Sequence, residues 1–124
     1  MSDIETRDDI ELLVNEFYHL VKQDETIGYI FTEVAEVNWD EHLPKMYSFW
    51  ETVLLGVMSF KGNPMDKHIK LSKKTHMQQV HFDAWLSLWN KTIDNHFVGE
   101  VADKAKQRGV NIAGLMLHKI EQYS

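Results

Sequence analysis

Histidine and carboxylate are the metal ligands this sequence offers, with seven histidines and no cysteine. Two of the histidines sit where ligation would point inward. His42 lies in Trp39-Asp40-Glu41-His42-Leu43-Pro44-Lys45-Met46-Tyr47-Ser48-Phe49-Trp50, and His68 in Lys67-His68-Ile69-Lys70-Leu71. Trp39, His42, Leu43, Met46, Phe49, Trp50, Val53, Leu54 and Val57 recur at three- and four-residue steps, so one face of a helix carries all of them. A lone histidine on such a face is most often a core residue satisfied by one hydrogen bond. Two of them, on different apolar segments, suit the enclosure of a flat, iron-bearing, hydrophobic cofactor.

Other chemistries find less support. Glu16-Phe17-Tyr18-His19 has the Glu-x-x-His form of di-iron carboxylate bundles, but those sites need a second copy and the chain has none. There is no His-Glu-x-x-His zinc signature, no phosphate-binding glycine loop and no Gly-x-Ser-x-Gly. The lack of cysteine removes thiolate catalysis, cysteine-type zinc sites and disulfides. His19, His76, His81, His96 and His118 fall on polar faces, caps or element ends and read as structural or exposed.

The whole chain bounds these choices. Its 124 residues suffice for one core and not two, so a single domain over 1–124 is expected. A formal charge of −6 repels phosphate backbones and anionic lipid, which argues against nucleic-acid or membrane partners. The acidic start Met-Ser-Asp-Ile-Glu has no basic-then-apolar signal, and no apolar run reaches spanning length, so a cytoplasmic location is expected.

The elements that must position the histidines are helical throughout. A first helix runs from a cap at Asp8 or Asp9 to about Lys22, with Ile10, Leu13, Val14, Phe17 and Val21 as its apolar stripe. Tyr18 lies on the stripe's edge, where a buried hydroxyl would need a partner. Asp24-Glu25-Thr26 opens a corner carrying Ile27, Ile30, Phe31 and Val34 around Gly28. The His42 helix starts near Asn38, tolerates Pro44 close to its start and runs to roughly Met58. Asn63-Pro64-Met65-Asp66 reads as the start of a short helical segment bearing His68. Thr75-His76-Met77-Gln78 has capping-box spacing, before a helix with Val80 or His81, Phe82, Trp85, Leu86, Trp89, Ile93 and Phe97 on its buried side. A last helix covers about Glu100 to Gln122, with Gly109 and Gly114 available for close contacts. The fold class is all-α.

A porphyrin needs two apolar walls, an axial ligand on one side and room on the other. From His42 to Met58 a helix advances about 24 Å. The segment from Ser59 to His68 is long enough to double back, so His42 and His68 can face each other across a cofactor's thickness. The spacing permits the site without requiring it.

Several motifs together resemble one family. They are Phe17-Tyr18, Ile30-Phe31, Trp39-x-x-His42-Leu43-Pro44-Lys45-Met46-x-x-Phe49-Trp50, Leu54-Leu55-Gly56, Gly62-Asn63-Pro64-Met65-x-x-His68 and His81-Phe82-x-x-Trp85-Leu86-x-Leu88. In this order, over about Asp9 to Tyr123, the chain resembles the truncated hemoglobins, and within them group III. The glycine-pair motifs of the other two groups are missing, as group III implies.

The resemblance implies a truncated globin fold, a two-over-two helical sandwich around heme b. It implies His68 as the proximal iron ligand, Tyr18 and Trp85 as distal donors, and His42 as the gate of the distal helix. Met46 would lie one turn further along, over the ligand, and Phe31 would wedge the heme at the corner. Phe49, Trp50, Met65 and Leu71 would complete the heme contacts.

The expected function is reversible binding of dioxygen, nitric oxide or carbon monoxide at heme iron. Strong distal donors favour slow oxygen release, which points to detoxification of reactive nitrogen or oxygen species, or to redox chemistry with a separate reductase, such as nitric oxide dioxygenase or peroxidase-like activity, rather than simple storage. The alternatives are a non-catalytic heme-based gas sensor, in which His42 closes onto the iron as a sixth ligand, and a heme-free all-α interaction module.

Overall fold

The computed structural model describes residues 1–34, 38–60 and 77–122. Among the described residues four α-helices carry the fold: α1 (Arg7–Gln23), α2 (Trp39–Leu55), α3 (Gln79–His96) and α4 (Glu100–Gln122). A π-helical turn at Ile30–Val34 lies between α1 and α2. No strand occurs among the described residues. Helix α1 packs on α2 and α3 on α4, and the two pairs meet chiefly through α1 against α3.

Each boundary has a local cause. Helix α1 is capped by Thr6, one turn before Asp9, and not by Asp8 or Asp9. Thr6 Oγ1 accepts from the Asp9 N–H at 3.3 Å, while Asp9 Oδ2 accepts from the Thr6 N–H at 3.1 Å, a reciprocal capping box. At its other end Asp24 Oδ2 accepts from the Thr26 and Ile27 N–H groups, both at 3.0 Å, and turns the chain back. Gly28 makes that reversal possible, since a Cβ there would lie 3.0 Å from the Val21 carbonyl oxygen.

Helix α2 begins as expected, with Asn38 as its cap and Pro44 inside it, but it ends at Leu55 and not near Met58. Gly56 takes the left-handed conformation at φ 73°, and Thr52 Oγ1 donates to the Val57 carbonyl at 2.7 Å, which stops the helix. Val57, expected on the buried face, is therefore exposed. Helix α3 is capped at Gln78, where His81 Nδ1 accepts the Gln78 N–H at 2.8 Å. Thr75 and His76 of the expected capping box lie outside the described residues.

The core centres on Trp89, which is fully buried. Trp50 stacks on it at 4.3 Å between ring centroids, Trp85 lies parallel at 5.9 Å, and Phe17 meets it edge-on at 5.1 Å. The indole N–H of Trp89 donates to the Ala105 carbonyl at 3.0 Å, binding α3 to α4. Gly109 is the close contact between these helices, since a Cβ there would stand 2.7 Å from Trp89 Cδ1. Gly114 is not one, because nothing lies within 4 Å of the corresponding position.

The N-terminal residues also belong to the core. Ile4 is buried, and Asp3 caps α4 by accepting from the N–H groups of Val101 at 2.9 Å and Ala102 at 2.8 Å. Burial alone would raise the Asp3 carboxyl, but backbone N–H donors from Val101, Ala102, Ile4 and Glu100 hold it below the ordinary carboxylate range.

Candidate functional site: an apolar cavity with a tyrosine–histidine pair

A cavity of about 870 Å³, counted out to its open mouth, lies between the helix pairs. Its lining is almost wholly apolar or aromatic, and every described element contributes to it. Helix α1 supplies Phe17 and Tyr18, the corner Ile27, Ile30 and Phe31, and α2 supplies His42, Met46, Phe49 and Trp50. Met77 precedes α3, which supplies His81, Phe82 and Trp85, and Ile112, Ala113 and Met116 of α4 close the far side.

The sequence-derived candidates separate clearly. Tyr18, Phe31, His42, Met46, Phe49, Trp50 and Trp85 all line this one cavity, although they come from three helices and a corner. His68, Met65 and Leu71 lie outside the described residues. His19 and His118 are exposed and His96 is half-buried at the end of α3, in keeping with structural or surface roles. His81 is more than a cap, because its ring also lines the cavity. That signal was visible in its position four residues before Trp85, on the same helical face. Met116 was legible in its helical spacing from Ile112 and Ala113, whereas Met77 carried no comparable signal, since methionine fills irregular gaps without a strict pattern.

The polar centre of the cavity is the pair Tyr18 and His42. The Tyr18 hydroxyl lies 3.0 Å from His42 Nε2. Trp39 packs against both rings, 5.2 Å from Tyr18 and 5.8 Å from His42 between centroids, and Lys22 Nζ sits 4.2 Å from the Trp39 ring centroid. Tyr18 is held in place from the side by Phe17 at 5.0 Å and Phe31 at 5.8 Å. Burial pushes the Tyr18 hydroxyl well above the ordinary tyrosine range, so it stays a neutral O–H. The pair can exist in two states. Either the phenol donates to Nε2, or Nε2–H donates to the phenol oxygen and the Tyr18 O–H turns toward the cavity.

The donor set also says what kind of metal would suit this site. Among the described residues no group of three or more histidine, aspartate or glutamate side chains could hold a metal ion. An iron already chelated by a macrocycle needs one axial side chain and apolar walls, and the lining meets the second requirement. Also among the described residues, no helix is long and apolar enough to cross a membrane.

Comparison with known proteins agrees with this geometry. Residues 3–117 match the model of a family described as bacterial-like globin. The chain is 28% identical over 120 residues to the group 3 truncated hemoglobin ctb of Campylobacter jejuni, covering 94% of this chain and 92% of that one. A crystal structure of group III truncated hemoglobin from Campylobacter jejuni superposes with a TM-score of 0.83 at 26% identity, covering 100% of this chain and 98% of the other.

Proposed function

Since this chain belongs to the bacterial-like globin family, we propose that its cavity holds heme b and that the protein binds diatomic gases there. Their use would be in detoxification of reactive nitrogen or oxygen species, or in redox chemistry, rather than in simple oxygen storage. The observation that carries this reading is the Tyr18–His42 hydrogen bond of 3.0 Å inside a cavity whose described lining is mostly apolar. Heme iron, when bound, supplies the point at which a diatomic gas attaches and draws electron density.

The chain's own residues do the rest. His68 would provide the axial imidazole. Phe31, Met46, Phe49, Trp50, Met65 and Leu71 would wall the cofactor and exclude water. Tyr18 and Trp85 are O–H and N–H donors suited to the partial negative charge of a bound gas, and one such bond is worth about 1.5–3 kcal/mol when the acceptor is charged. Keeping the Tyr18 proton in place by burial makes that donor independent of pH across the neutral range. His42 sets which way the phenol points, because the same hydroxyl cannot donate to Nε2 and to the ligand at once.

That bond also bears on the sensor alternative. His42 Nε2 is engaged by Tyr18, which supports a gas site open on the His42 side over one closed by His42 as a sixth ligand. A redox role calls for a separate electron-donating reductase, and the −6 charge suits a basic partner surface.

The deciding measurement is the visible absorption spectrum of the hemin-treated protein, ferric and then reduced, with and without carbon monoxide, beside His68→Ala. An intense porphyrin band should shift on reduction and again with carbon monoxide, and the variant should lose or rearrange it. Protein that stays colourless after incubation with hemin would sink the proposal. Oxygen release as fast as that of a storage globin would remove the detoxification and redox part alone.

A further inference from the structure

We infer that His81 anchors a carboxylate side chain of the bound cofactor at the α3 end of the cavity, as a positioning and affinity-determining residue separate from the Tyr18–His42 centre. The assignment rests on the heme reading above and adds a residue to it. Biological hemes carry two carboxylates on an apolar macrocycle, and a carboxylate taken out of water must meet a donor or remain solvated.

Among the described residues, the cavity lining contains no lysine, arginine, aspartate or glutamate, and its hydrogen-bonding side chains are Tyr18, His42, Trp85 and His81. Tyr18 and His42 are bonded to each other, and the Trp85 indole, parallel to buried Trp89, is the N–H donor already assigned to the bound gas. That leaves His81. Its Nδ1 accepts the Gln78 N–H at 2.8 Å, which places the proton of the neutral ring on Nε2. Nothing else among the described residues bonds to that ring, so the Nε2–H donor is uncommitted.

The position suits a carboxylate as well as the donor does. His81 is half-buried, one turn before Trp85, beside exposed Gln78, Gln79 and Val80, so the cavity wall reaches solvent there. The first turn of α3 holds no acidic residue, whereas the first turns of α1, α2 and α4 all do. The positive end of the α3 dipole is thus left for an incoming anion, adding to the imidazole N–H.

The test separates the cap from the anchor. His81→Gln and His81→Glu both keep an N3 acceptor for the Gln78 N–H, but only glutamine retains a donor. Hemin and its dimethyl ester, which lacks free carboxylates, are loaded into wild type and both variants, and transfer to a heme-scavenging protein is timed. The expected result is hemin loss about tenfold faster from His81→Glu, near wild-type loss from His81→Gln, and ester loss within about twofold across all three. Equal acceleration of hemin and ester, or no acceleration of hemin, overturns the assignment while leaving the heme reading intact. A wild-type protein that takes up neither compound overturns both.

Discussion

Tyr18 illustrates how a single side chain gains its role from where it is placed. On the helix it is an edge tyrosine, but in the fold it is 8% exposed, ringed by Phe17, Phe31, Trp39 and His42, and bonded to His42. Tyr18→Phe should speed oxygen release from the reduced, loaded protein at least about tenfold, measured by stopped-flow displacement with carbon monoxide. An unchanged rate would leave Trp85 or His42 as the operative donor. Burial raises the Tyr18 pKa in the folded state, so the protonated form contributes stability that is complete below the ordinary tyrosine value of about 10 and is lost as pH climbs above it. At about pH 11 the folded protein should show one tyrosine fewer ionised than the unfolded chain, read from ultraviolet tyrosinate absorbance. That difference should vanish in Tyr18→Phe.

Helix ends and helix contacts decide matters at the next scale. The N-terminal arm, with Asp3 capping α4 and Ile4 buried, ties the first residues to the α3–α4 corner. Asp3→Ala should lower the unfolding free energy by about 1–2 kcal/mol at neutral pH, measured by denaturant titration. The folded-state pKa of Asp3 is depressed, so this contribution is present above the unfolded carboxylate value and is lost as pH falls through the folded one. The gap between wild type and variant should therefore close in acid. The two α4 glycines give opposite expectations. Gly109→Ala forces a Cβ to within 2.7 Å of Trp89 Cδ1 and should destabilise by about 1–3 kcal/mol. Gly114→Ala meets nothing within 4 Å and should stabilise by up to about 1 kcal/mol, through helix propensity. Thermal unfolding of the pair distinguishes a packing glycine from an ordinary one.

For the molecule as a whole, a cofactor bound between two helix pairs and walled by every described element links its binding to folding. Hemin at about a hundredfold excess over its dissociation constant should stabilise the folded chain by about 2.7 kcal/mol, seen as a higher melting temperature than that of the apoprotein. His68→Ala should lose most of that increment. An equal increment in the variant would place the dominant interaction elsewhere, in the apolar walls.

Read as a sequence alone, the chain determined its helical class and most of its cavity lining. The three- and four-residue spacing of Phe17, Trp39, His42, Met46, Trp50, Trp85 and Trp89 reflects helical geometry, which is local and periodic. Family resemblance then attached heme chemistry to Tyr18, His42 and Trp85. Features set by contacts far apart in the chain were illegible. Asp3 as the cap of α4 and Gly109 rather than Gly114 against Trp89 depend on where other segments lie. His81 was legible in part, through its spacing four residues before Trp85. A helix-start histidine looks like a cap from its neighbours, and only tertiary packing decides that the face it shares with Trp85 opens onto the cavity, because a ring's surroundings are supplied by other helices.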